Sequence, residues 1–186
     1  MSRSTTSKRR WALLALAAAT TTTLALAAPA LAASDGQTGF GFNAGEISGF
    51  PTGAISLTGG GAFNLDTKLV HSGGGFRCTE DVVGMAPLNG CLAGQGVRWD
   101  TEELLASTGF KCTGAASEAR KTATTGDGIV VLQSDFYRAG DGIDESFRAQ
   151  LIVSQNDIAP DIPGVQNVWI QGVGCGSAIV HFSSPS

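Results

Sequence analysis

Acidic residues crowd the last third of the chain: Asp135 is followed by Asp141, Asp144 and Glu145, and Asn156, Asp157 and Asp161 come one segment later. Carboxylates and backbone carbonyls are the oxygens a hard cation recruits, six to eight at a time. Asp141, Asp144 and Glu145 are therefore the candidate calcium ligands, although EF-hand spacing is missing, and calcium is the one cofactor the residues suggest. A solvated turn in which Gly140 and Gly142 supply backbone freedom gives the same composition. Asp100, Glu102 and Glu103, or Asp135 with Glu145, supply carboxyl pairs for glycoside hydrolysis, which needs two such groups roughly 5–9.5 Å apart across the scissile bond. His71 and His181 could act as an acid and base couple on a phosphodiester, with Lys111 or Arg77 stabilising the anion. Their placement argues otherwise: His181 alternates with Val180 and Phe182 as an outward strand residue does, and His71 closes a short strand before Gly73-Gly74-Gly75. Gly-x-Ser-x-Gly is absent, and neither glycine triplet, 59–61 or 73–75, precedes Gly-Lys-Ser/Thr, so nucleophile-elbow and phosphate-loop chemistry lack their signatures.

Trp169 is the candidate binding aromatic. In a period-two strand it shares its face with Asn167 and Gln171, and an aromatic between two amides suits a sugar ring. Trp99 is the second candidate. Core packing competes for both rings, because a small β domain needs large apolar residues to fill its interior.

The elements that must hold these residues read as strands. Alternation runs through 54–65 with a Gly interruption at 59–61, then through 76–79, 96–101, 129–137, 146–154, 165–173 and 177–182, separated by Gly, Asp, Pro and Asn clusters. Asp100 to Leu105 could make one or two helical turns capped by Asp100 or Thr101. Residues 114–126 are small and polar and read as a loop. Residues 33–53 read as a flexible Gly-rich N-terminal arm or a loosely docked strand, and 54–186 as a single domain. The predicted class is all-β: an antiparallel sandwich or small barrel of about eight short strands, stapled by disulfides, with little helix.

The first 32 residues read as a signal peptide. Arg3, Lys8, Arg9 and Arg10 precede an Ala, Leu and Thr run from Trp11, and Ala30-Leu31-Ala32 supplies the small-x-small pattern before Ala33. Arg9-Arg10 before Trp11 fits both a twin-Arg signal and an ordinary basic n-region. Beyond residue 32, eight Lys and Arg stand against sixteen Asp and Glu. That balance speaks against nucleic acid, whose affinity comes from cations on phosphates, and against membrane insertion once the signal is removed. Cys78, Cys91, Cys112 and Cys175 read as two disulfides in an exported chain. Of three connectivities, Cys78–Cys91 and Cys112–Cys175 are favoured, the first closing a short Gly- and Pro-containing loop and the second tying mid-chain to the C-terminal strands. A zinc site is disfavoured without Cys-x-x-Cys and with only two His.

Four strings, GGGFRC (73–78), GVRWDT (96–101), FYRAGDGIDESF (136–147) and GVQNVWIQGVGCGSA (164–178), resemble a group of small secreted bacterial proteins of unassigned function. The resemblance implies export and a β-rich domain and carries no activity. The functional expectation is an exported, non-enzymatic β domain that binds a small ligand, glycan or envelope component through a strand face or barrel mouth. The competing expectation is a small secreted hydrolase whose Asp, Glu or His residues are brought together by the fold.

Overall fold

The computed structural model describes residues 36–49, 52–83, 87–138 and 146–183, which fall in one compact unit. Among them form ten strands and no helix: β1 (Gln37–Gly49), β2 (Ala54–Asn64), β3 (Val70–Cys78), β4 (Arg98–Leu104), β5 (Ser107–Phe110), β6 (Lys121–Thr124), β7 (Ile129–Tyr137), β8 (Ser146–Ser154), β9 (Val168–Ile170) and β10 (Gly174–Phe182). Eight close an antiparallel barrel in the order β1-β10-β9-β8-β7-β4-β3-β2, and β5 with β6 makes a separate hairpin inserted between β4 and β7. Closure leaves the barrel without a free edge. The all-β, disulfide-linked class expected from sequence is the one that forms, as a barrel rather than a sandwich. Cys78 pairs with Cys91 across the β3–β4 connection, and Cys112 pairs with Cys175 of β10.

The glycine triplets explain how aromatic residues fit inside. One interior row runs Phe42, Gly59, Gly74, Trp99, Phe136 across β1, β2, β3, β4 and β7. A Cβ on Gly59 would sit 2.5 Å from the Trp99 ring. Trp99 therefore occupies the volume that a side chain at Gly59 would need, fully buried, with ring centroids 6.0 Å from Phe42 and 6.4 Å from Phe136. Its indole N–H donates to the Thr58 carbonyl at 3.0 Å, which removes the cost of burying that donor. The expected interruption at 59–61 is thus an unbroken part of β2; the register shift of the β1–β2 pair lies elsewhere, between Ala44 and Ile47.

A second apolar cluster lies outside the barrel wall. Val131, Ile152, Trp169 and Cys175 pack under the hairpin with Phe110, Cys112, Ala123 and Ala159. Their neighbours Val130, Leu132, Leu151, Val153, Val168 and Ile170 point into the barrel. Strands covered on both faces need continuous apolar runs, and 130–132, 151–153 and 168–170 are such runs.

Three sequence expectations are corrected. Residues 37–49 are not an arm: β1 is hydrogen-bonded on both sides, to β10 and β2, and buries Phe40, Phe42, Ala44 and Ile47. The capped turn expected at Asp100–Leu105 is instead the extended strand β4 and its exit, where Leu104 packs into the barrel core and Leu105 against the cluster under the hairpin. Residues 121–124, inside the expected loop, form β6. The signal segment and the acidic loop 139–145 lie outside the described residues.

Candidate functional site

The hairpin does not lie flush along its whole length. Between it and one end of the barrel runs a cleft of about 340 Å³, lined by Phe110 of β5, Thr122, Ala123 and Thr124 of β6, Gly128 and Ile129 at the start of β7, Ser154 at the end of β8, and Asn156, Asp157 and Ile158 beyond it. That volume is within the range of small-ligand sites.

Its walls are fixed locally. The Ser154 hydroxyl accepts from the Asn156 N–H at 3.1 Å, and Asp157 Oδ1 accepts from the N–H of Ala159 at 2.8 Å and of Gln166 at 3.3 Å. These are the short-range turns that Ser and Asp side chains stabilise. At the base of the hairpin, the Thr125 hydroxyl donates to the Leu105 carbonyl at 2.6 Å and accepts from the Val131 N–H at 3.0 Å. Cys112–Cys175 ties the chain just beyond β5 to β10. Lys121 bridges from β6 to Asp161 at 3.0 Å and to Glu118 at 3.1 Å.

Glu118 organises the turn between β5 and β6. Burial alone would raise its pKa, but the Thr113 hydroxyl, the N–H groups of Cys112 and Thr113, and Lys121 all donate to its carboxylate and bring it from 4.5 down to about 2. Burial works against the charge on Lys121 as well, and Asp161 and Glu118 more than offset it, so its pKa rises.

The aromatic candidates sit elsewhere. Trp169 stands in β9 with Asn167 and Gln171 just beyond its two ends, and the hairpin covers the Trp169 ring. Trp169 is 5% exposed, 5.7 Å from Phe110 by ring centroid, and its indole N–H donates to the Lys111 carbonyl at 2.8 Å. Buried Asn167 is consumed by Ala178, whose N–H it accepts at 2.7 Å and whose carbonyl it donates to at 3.0 Å. Exposed Gln171 accepts from the Gln150 N–H at 3.1 Å. Trp99 is inside the barrel. Neither Trp ring is a platform for a ligand at the surface.

Carboxylates do converge, on the outer wall. Asp100, Asp135 and Arg148 lie in one row across β4, β7 and β8. Arg148 donates to Glu102, through Nε at 3.0 Å, and its Nε lies 3.8 Å from Asp135; Arg98 pairs with Asp100 at 3.1 Å. Burial pushes the Asp135 carboxyl above its ordinary range, Glu102 pushes the same way by charge and a shared hydrogen bond, and Arg148 opposes both. His71 and His181 stay apart on the outer wall, on β3 and β10 with β1 and β2 between them. Three strand spacings separate them, about 14 Å at roughly 4.8 Å each. Asp141, Asp144 and Glu145 lie outside the described residues, and no group of three His, Cys, Asp or Glu suited to a metal occurs among the described ones. No described helix is long and apolar enough to cross a membrane.

Comparison with known proteins returned no match: no family model, no curated protein and no solved structure is similar to this chain.

Proposed function

We propose that the chain is an exported, non-enzymatic binding module whose ligand sits in the cleft between the β5–β6 hairpin and the barrel. The lining carries the reading: apolar Phe110, Ala123, Ile129 and Ile158 alternate with Thr122, Thr124, Ser154, Asn156 and Asp157, and Asp157 is its single ionisable group. Such a surface can desolvate and orient a ligand, but it lacks the acid and base pair that proton transfer requires. Export rests on the Arg- and Ala-rich leader and agrees with two disulfides. Membership of the small secreted bacterial group belongs to the same proposal.

The hydrolase reading keeps one supporting observation, the Glu102–Asp135 pair with its raised Asp135 pKa. The pair lies on the outer wall beside exposed Arg148, away from the described cleft. A thermal-shift screen of glycans, peptides and small metabolites against the oxidised protein separates the readings. Stabilising ligands should be lost on Thr124→Arg, which fills the cleft from its exposed side, and retained by Glu102→Gln and Asp135→Asn. Turnover of any screened compound that disappears in those two carboxylate variants would reverse the assignment.

A further inference from the structure

Resting on the cleft as the binding site, we propose that its occupant is an extended polypeptide segment bearing a Lys or Arg, held by strand addition to β6. The phase of the hairpin ladder is the first observation. The Thr125 N–H donates to the Ala106 carbonyl at 2.9 Å, so in the β5–β6 register the hydrogen-bonded pairs are Thr108 with Ala123 and Phe110 with Lys121. Antiparallel pairs alternate between bonded and non-bonded. The N–H and C=O of Thr122 and of Thr124 therefore point away from β5, and both residues line the cleft. No other strand among the described residues pairs with β6.

The hairpin treats its two edges differently, which is the second observation. Arg120 lies over the hairpin face at Gly109, and its Nη2 reaches the Gly109 carbonyl, which points away from β6, at 3.5 Å. An Arg over a strand edge blunts it. The β6 edge carries no such cover at Thr122 and Thr124, whose residues are exposed. An open edge beside a groove is the geometry of β-augmentation, in which main-chain hydrogen bonds supply affinity and groove side chains supply specificity. Up to four main-chain hydrogen bonds, from the outward groups of two threonines, are available to the incoming strand.

Charge selects the occupant. Asp157 lines the cleft and Asp127 adjoins Gly128 at its end, and neither has an ion-pair partner among the described residues. The one cation on β6, Lys121, is already engaged by Glu118 and Asp161. A cationic side chain on the added strand therefore meets carboxylates that have no ion-pair partner among the described residues, Asp157 being held in place by the N–H groups of Ala159 and Gln166.

The test uses a library of extended hexapeptides that alternate Val and Thr around one Lys, titrated into the full oxidised protein and followed by fluorescence anisotropy and backbone amide NMR. Binding should perturb Thr122–Thr124 and 154–158, weaken at least tenfold on Thr122→Pro, and weaken a few-fold on Asp157→Asn. Thr122→Pro deletes an N–H that points away from β5, so the hairpin ladder survives it. N-methylation of alternate peptide residues blocks strand pairing without altering the protein, and should also abolish binding. Binding at the cleft that survives both Thr122→Pro and N-methylation overturns strand addition and leaves the cleft as the site. Glycans or metabolites binding there when no peptide does has the same meaning. Concentration-dependent self-association through β6 in place of peptide binding also overturns the inference. Perturbations confined to Asp100, Glu102 and Asp135 overturn the site itself.

Discussion

Glu118 is the residue whose charge most visibly holds the hairpin turn. Its carboxylate accepts from Cys112, Thr113 and Gly114 N–H groups and from the Thr113 hydroxyl. Because its folded pKa lies below the ordinary 4.5, the stability it contributes is fully present above that value and is lost as pH falls toward about 2. Glu118→Gln should cost about 2 kcal/mol at pH 7, as losing hydrogen bonds to a charged group does, and the difference from the native protein should shrink through that acid window in urea melts. Asp135 has the opposite sign. Its raised pKa means a favourable contribution below its ordinary range that is lost as pH rises, so Asp135→Asn should match or exceed native stability at pH 7 and lose any advantage in acid. Equal pH dependence of the variant and the native protein would contradict the crowding at Glu102. Trp169→Ala should destabilise by about 3–5 kcal/mol, the cost of emptying a buried aromatic site, measured by denaturant unfolding.

At the scale of elements, the β5–β6 hairpin and the glycine rows decide what the barrel can do. Gly59→Ala should cost about 1–3 kcal/mol in denaturant melts, because its Cβ would meet the Trp99 ring and, at 2.6 Å, the Gly73 carbonyl. Much of this was legible in the residues. Alternation located β2, β7, β8 and β10, and Cys spacing pointed to the two disulfides. What escaped has physical causes. Phe40 and Phe42 alternate with glycines, so β1 looked too flexible until its partners on both sides were known. At the end of β4, Leu104 packs inside the barrel and Leu105 outside it, so strict alternation is lost there and the preceding acids read as a helix start. Lys121-Thr122-Ala123-Thr124 holds a single small apolar residue, so β6 had little hydrophobic signal to show, although its Thr content was a β-propensity cue. The runs at 130–132, 151–153 and 168–170 carried the strongest unread message, since apolar residues on both faces announce that something must cover the wall.

For the whole molecule, a closed barrel supplies rigidity and the strapped hairpin supplies the concavity. Cys112–Cys175 spans 63 residues, and in the chain-entropy picture such a link contributes about 4 kcal/mol, against about 3 for the 13-residue Cys78–Cys91 link. Replacing Cys112 and Cys175 by Ser should therefore lower stability by about 4 kcal/mol and loosen the cleft together with the hairpin, visible as faster amide exchange at 121–124. The candidate site itself was only partly legible: Asn156 and Asp157 stood out as a polar pair, but the opposite wall comes from β6, and only the register of β8, β9 and β10 beneath the hairpin brings the two together. Trp169, the most conspicuous ring, drew attention to the right face for the wrong reason, because that face is where the hairpin docks. The most direct test is a backbone amide NMR map of the oxidised protein with whichever compound stabilises it most in the thermal-shift screen. Perturbations are expected at Phe110, Thr122–Thr124, Gly128, Ile129 and 154–158. Perturbations at Asp100, Glu102 and Asp135 with the cleft unchanged would contradict binding there.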